Sequence, residues 1–452
     1  MSTTDLTAAV EKPRSDHAGL RSNFCWTFTG NVVHSICQWG FLSVLAKLTA
    51  VEVVGTYTLA VAVTAPLLYV ANFNVGVMLV TDTKRQFSFA DYRTARLLLI
   101  AISLIAALGI CLASTFSSEV FILTVLVAIA QSADSMSELY RSVMLRSEQM
   151  SRIAVSLMLR GSISVAVAAA VLVYSKSIIY TVAAMALVRF GVLFAYDMPL
   201  GRDRPVAPAG SNGERSDPSL KEPRTAKKFA GSRLRAVAKI TGGALPLTIV
   251  SLLVSLVLNM PRYFIEKYVG PRQLGIFAAM WSLLTAGNMI AMALGQSIFP
   301  RLSKLYAGGD LAAFKQIIFR AVQIGLILGV LGVTGAIVAG RQILTLAYRA
   351  EYAQEHWMFV AVMGIGTLAY IITLLGNAAT SARAFRPQAV LMTVVVLATF
   401  VSCVAMVPTL GVWGAIWSVG IGLLTQIAGL IFIVFRLVKR QSEPLVLAAE
   451  RV

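Results

Sequence analysis

Charge is what this sequence has least of. Asp, Glu, Lys and Arg make up only 13% of its 452 residues, about half the share of an ordinary soluble chain. With 57% hydrophobic residues and a mean hydropathy of +0.76, that scarcity excludes a water-soluble globular domain. Histidine occurs three times, and Cys25, Cys37, Cys111 and Cys403 form no CxxC pair. The cysteines read as small apolar helix residues, with no zinc, redox or disulfide pattern among them. There is no GxxxxGK[ST], no GxSxG and no cluster of metal ligands, so an ATP-driven pump or a hydrolase has nowhere to do its chemistry. We expect no enzyme and no cofactor. The first twenty residues lack an apolar core, so no cleavable signal peptide is expected and the first span inserts itself. Alternating ten-residue strands are also missing, which excludes an outer-membrane barrel.

What the sequence does have is apolar blocks of membrane-crossing length. Twelve are placed at 24–46, 54–80, 95–114, 118–140, 153–174, 178–198, 243–266, 274–300, 317–340, 357–380, 388–407 and 412–435. The expected class is an all-α polytopic membrane protein. Its net charge of +18 is not spread evenly. With the N-terminus cytoplasmic, the inner segments hold the basic clusters, among them Lys84, Arg85, Arg93, Arg96, Arg141, Arg146, Arg301 and Lys304, while the outer ones keep few. That asymmetry places both termini inside and explains the basic balance without nucleic acid. Anionic membrane lipids are the expected contact of the inner clusters.

The one long polar stretch, 199–242, is rich in Pro, Gly, Ser and basic residues. It reads as a cytoplasmic linker between an N-terminal six-helix lobe (23–198) and a C-terminal one (243–437), with tails at 1–22 and 438–452. Its end, "SRLRAVAKI", reads equally as a basic amphipathic helix or a tether. Sliding the second half onto the first by 220 positions brings Lys47 onto Lys267, Gly55 onto Gly275, Tyr57 onto Phe277 and Lys84 onto Lys304. An internal duplication of six spans relates the halves by an axis along the membrane normal, with substrate between them.

Polar residues form stripes inside four spans. Thr27, Asn31, His34 and Gln38 share a face of the first. Tyr69, Asn72 and Gly76 do so in the second, where Pro66 is expected to bend the helix. Ser251, Ser255, Asn259, Arg262 and Glu266 recur in the seventh; Trp281, Thr285, Asn288, Met292 and Gln296 recur in the eighth. Any single amide is readable as interhelical glue, but four stripes on corresponding helices are expected to face a hydrated cavity. Ionisable residues at membrane depth are candidate functional groups. Here they are Asp134 and Glu138 in the fourth span, Arg160 in the fifth and Arg189 in the sixth. Three roles stay open: acids neutralising arginines between helices, arginines binding an anionic phosphate or sugar, or acids carrying protons.

Residues 23–82 resemble the N-terminal signature of Wzx-type polysaccharide flippases of the multidrug/oligosaccharidyl-lipid/polysaccharide (MOP) exporter superfamily. The matching elements are Asn31, Lys47-Leu48, Val54-Gly55-Tyr57, Pro66, Asn72, Asn74 and Lys84-Arg85. The resemblance implies two six-helix lobes around a V-shaped, MATE-like cavity that rocks between inward-open and outward-open states. It implies a cargo of undecaprenyl-diphosphate-linked oligosaccharide, flipped across a bacterial inner membrane, with a polysaccharide polymerase and export machinery as protein partners. Two alternatives remain. A cation-coupled small-molecule exporter is weakened because the first span holds no acid and Glu266 lies at the outer end of the seventh. A polymerase or ligase enzyme would use a large outer loop; the nearest thing, 339–357, reads as a cap.

Overall fold

Lipid offers no partners to backbone amides, so apolar segments of this length satisfy their hydrogen bonds internally, as helices. The computed structural model describes residues 16–82, 86–201, 230–382 and 384–449, and every regular element among them is helical. The N-terminal bundle holds α1 (Asp16–Leu48), α2 (Val51–Asn72), α3 (Val75–Thr81), α4 (Phe89–Ala113), α5 (Ser118–Arg146), α6 (Met150–Ser175), α7 (Ile178–Val192) and, beyond one π turn (Leu193–Asp197), the short α8 (Met198–Leu200). The C-terminal bundle holds α9 (Ala230–Tyr268), α10 (Pro271–Ala307), α11 (Leu311–Ala347), α12 (Ala350–Ala353), α13 (His356–Ser381), α14 (Phe385–Leu410) and α15 (Val412–Ala449). Eleven spans among the described residues are long and apolar enough to cross a membrane. The twelfth long rod, α1, falls short in apolarity because its polar stripe interrupts it. Residues 202–229 of the expected linker lie outside the described residues, and 232–240 form the first turns of α9.

Corresponding helices pair alike in both bundles. α1 packs on α6 as α9 packs on α14, α2 on α5 as α10 on α13, and α6 on α7 as α14 on α15. The bundles meet where α2 crosses α9 and α10. Gly55 and Gly275, which the 220-residue offset superposes, face each other there. A Cβ on Gly55 would strike the Pro271 carbonyl, and one on Gly275 the Val51 carbonyl, so only bare backbone permits this crossing. The largest apolar core straddles the same end, with Leu45, Val54, Phe277 and Tyr352 fully buried. Polar contacts close it further. Trp39 Nε1 donates to the Tyr348 hydroxyl at 3.2 Å, Arg349 Nε to the Lys47 carbonyl at 2.8 Å, and Ser43 Oγ to the Ala347 carbonyl. Arg272 bridges Glu52, at 3.3 Å, and Glu351.

The second span departs from its sequence expectation. Pro66 sits inside continuous α2; the break comes seven residues later, at Phe73 and Asn74, both left-handed with φ 41° and 48°. Left-handed backbone costs a bulky residue roughly 1–2 kcal/mol, and the buried Arg96 supplies the compensation. Its Nη1 donates to the Ala71 carbonyl at 3.3 Å and to Asn72 Oδ1 at 2.8 Å, capping the end of α2. Asn74 Nδ2 reaches the other bundle, donating to Thr248 Oγ1 at 3.4 Å and Ser251 Oγ at 3.5 Å.

Candidate functional site

A cavity of about 390 Å³ lies between the bundles, below the sealed end. Its N-terminal wall carries His34 and Gln38 from α1, Tyr57 from α2, Asp134 from α5, Arg160 from α6 and Arg189 from α7. The C-terminal wall carries Arg262 from α9 with Trp281 and Thr285 from α10. Asp134 takes both N-terminal arginines: Arg160 Nη1 donates to Oδ1 at 2.5 Å and Arg189 Nη1 to Oδ2 at 2.7 Å. Arg262 has no acid partner among the described residues; its Nη1 donates to Asn259 Oδ1 at 3.1 Å, and its Nε is buried without a partner. Three guanidinium groups and one carboxylate thus line the cavity, and two of the three share that carboxylate. Away from bulk water that excess is a strong attraction for anions. Gln38 Nε2 lies 3.1 Å from His34 Nε2, and the indole of Trp281 leans on Phe277 with ring centroids 5.6 Å apart. Amide, imidazole and indole together suit sugar hydroxyls and ring faces.

Of the residues expected from sequence, His34, Gln38, Asp134, Arg160, Arg189, Arg262 and Trp281 come together here. The rest lie elsewhere, for physical reasons. Asn31 is exposed and donates its amide to the Thr27 carbonyl of its own helix at 2.9 Å, while Tyr69 and Gln296 are exposed off the cavity. Asn72 and Glu138 belong to the Arg96 cluster, in which Arg96 also pairs with Glu138 and donates to Ser135 Oγ at 3.2 Å. Ser251 meets Asn74, and Ser255 is buried, accepting with its carbonyl from Asn259 Nδ2 at 2.9 Å. Asn288 accepts from Thr373 Oγ1 at 3.3 Å within the C-terminal bundle. These stripes were expected to line one cavity; several instead hold helices together.

The reading of Arg96 and Arg141 as inner-segment charge is corrected as well. Arg96 lies in α4, fully buried, because its side chain fills the α2 break. Tyr92, Ala95, Arg96, Leu99, Ile100 and Ser103 are all buried at helical spacing, and that period was a readable signal. Arg141 lies within α5 and approaches Asp197 at 3.9 Å. Asp197 was missed; it closes a π turn whose register shift no sequence period reveals.

Two bundles of this pairing, sealed at one end over a charged cavity, have the fold seen in transporters of the MOP superfamily. The sequence profile described as "Polysaccharide biosynthesis protein" matches residues 20–306, and the chain belongs to that family. The capsular polysaccharide biosynthesis protein CapF of Staphylococcus aureus is 22% identical over 347 residues, spanning 76% of this chain and 81% of that protein. Among solved structures, the lipid II flippase MurJ in an inward closed conformation matches with a TM-score of 0.66 at 11% identity, covering 94% of this chain and 92% of that one. An inward-facing multidrug resistance MATE transporter matches at 0.62 and 11% identity, covering 92% and 99%. An outward-facing MATE transporter matches at 0.56 and 13% identity, covering 95% and 98%.

Proposed function

We propose that the protein is a flippase that moves diphosphate-linked, polyprenyl-anchored oligosaccharide repeat units from the inner to the outer leaflet of the bacterial inner membrane by alternating access. The observation that carries this reading is the cavity's charge: Arg160, Arg189 and Arg262 against the single carboxylate of Asp134. A diphosphate head does not cross lipid unaided, because burying its charge costs far more than thermal energy. In a wet cavity between two lobes the head crosses while the prenyl tail stays in lipid. The polysaccharide biosynthesis family supports the glycan class of the cargo. The uneven distribution of basic residues supports a cytoplasmic position for both termini and for the linker between the lobes. The sealed end is then the outer one.

The same charge disfavours an exporter of organic cations, since the one cavity acid is already shared by two arginines. Residues 348–351, where an outer-loop enzyme would keep its chemistry, are engaged in the seal through Tyr348, Arg349 and Glu351. The test is reconstitution in liposomes with a fluorescent prenyl-diphosphate oligosaccharide. The protein is expected to make inner-leaflet label reachable by an impermeant quencher, and the Arg160→Ala/Arg189→Ala variant to be inactive though folded. Equal activity in that variant would overturn the reading.

A further inference from the structure

Among the described residues the N-terminal bundle contains three sets of buried or half-buried charge, and one differs from the others in stoichiometry. Arg96 with Glu138 and Arg141 with Asp197 are one-to-one pairs, and neither lines the cavity. At Asp134 one carboxylate holds two arginines, and this set does line it. One cation is enough to neutralise a buried carboxylate, so the second arginine has no structural debt to settle there. Each guanidinium commits one nitrogen to Asp134, and Arg160 Nε is buried without a partner. Donors are therefore left over on the wall where the anion is proposed to bind.

We propose that Asp134 is a displaceable counter-ion, a specificity and release element that occupies the anion's place in the empty carrier and gives it up when cargo arrives. The inference rests on the proposed anion-binding function of the cavity. Two guanidinium groups held one carboxylate apart repel each other in a medium of low dielectric constant. Asp134 suppresses that repulsion while the carrier returns empty. A diphosphate offers more oxygens and more charge than a carboxylate, and it pairs with both arginines through parallel N–H donors. Asp134 then turns away, and its return helps to expel the head once the lobes open to the other side. Without it the cavity would hold its cargo too tightly to release it.

Equilibrium binding of inorganic pyrophosphate to the purified full-length protein tests this. Wild type is expected to bind saturably, and the Arg160→Ala/Arg189→Ala variant to lose binding. Asp134→Asn is expected to bind at least about tenfold tighter while transporting more slowly. Asp82→Asn, which removes an acid outside the cavity, should stay within about twofold of wild type. Equal or weaker binding by Asp134→Asn would overturn the counter-ion role. Binding unchanged by loss of both arginines would instead overturn the anion-site reading beneath it. Should Asp134→Asn fold poorly, a structure of the wild-type protein with pyrophosphate decides. The anion should lie on Arg160 and Arg189 with Asp134 displaced; the anion on the arginines with Asp134 still bonded to both contradicts the proposal.

Discussion

The two bundles share a plan of helix pairing but not a chemistry. Inside the N-terminal bundle, Arg96, Asp134, Glu138, Arg141, Arg160, Arg189 and Asp197 are linked in three charged sets. Among the described residues the C-terminal bundle gives the cavity one charge, Arg262, which bonds to the neutral Asn259, and other contacts inside it are neutral pairs such as Thr373 with Asn288. Duplicated architecture has thus been divided between a lobe that grips charge and a lobe that supplies shape, with Trp281 on the facing wall. Buried ion pairs cost desolvation and contribute little net stability. Their concentration in one lobe is better explained by fixing where charge sits than by holding helices together.

If that contrast is real, the largest effect of substitution falls in the N-terminal bundle. Arg96→Ala should cost about 3–5 kcal/mol, because it strands Glu138 and uncaps the α2 break. Thr373→Val, which removes a neutral bond in the other lobe, should cost about 1 kcal/mol. Thermal unfolding in detergent and folded yield measure both; similar losses would erase the distinction. Next in size is transport. Arg160→Ala or Arg189→Ala should lower flipping by roughly 10–100-fold at near-normal abundance, with Arg→Lys retaining part of it. Arg262→Ala should do less, since it leaves both arginines of the N-terminal wall in place. A larger loss at Arg262 would reverse the assignment of roles.

The class, the spans and the charged half of the site were legible because membrane depth makes every ionisable residue conspicuous. Asp134, Arg160 and Arg189 were singled out that way, and Arg262 and Trp281 followed from stripes at helical spacing; the structure sets all five on one cavity wall or the other. The polar stripes were over-read, because spacing tells which face an amide lies on but not whether that face meets water or another helix. Asn72 and Ser255 both satisfy the period, yet one binds Arg96 and the other Asn259. Proline was the visible candidate for a bend, while the true break at Phe73–Asn74 depends on a guanidinium from another helix. No local pattern encodes that. The Gly55/Gly275 correspondence was legible as a repeat, but that the two meet only coordinates reveal.

That crossing gives a third prediction. Gly275→Val should overpack the sealed end by about 1–3 kcal/mol and loosen its closure. Cysteines introduced near Trp39 would then gain access to impermeant reagents; unchanged protection would mean that the seal does not depend on close backbone approach. The smallest effect concerns pH. Burial alone would raise the carboxyl of Asp82, but the Gln86 and Phe87 amides and the Tyr92 hydroxyl outweigh it and hold the group below the usual aspartate range. The stability it contributes is complete above the ordinary aspartate value of about 4 and fades as pH falls through the lower folded value. Melting temperatures of wild type and Asp82→Asn should therefore differ at neutral pH and converge in acid. A gap that persists in acid would show that another interaction is responsible.

The central claim is that the charged lobe recognises the linkage between lipid and sugar. It is tested most directly by comparing, in the same liposomes, one oligosaccharide carried on a prenyl diphosphate and on a neutral prenyl ether. The diphosphate form should flip at least about 100-fold faster, and the advantage should vanish in the Arg160→Ala/Arg189→Ala protein. Equal rates for the two linkages in the wild-type protein would contradict the account.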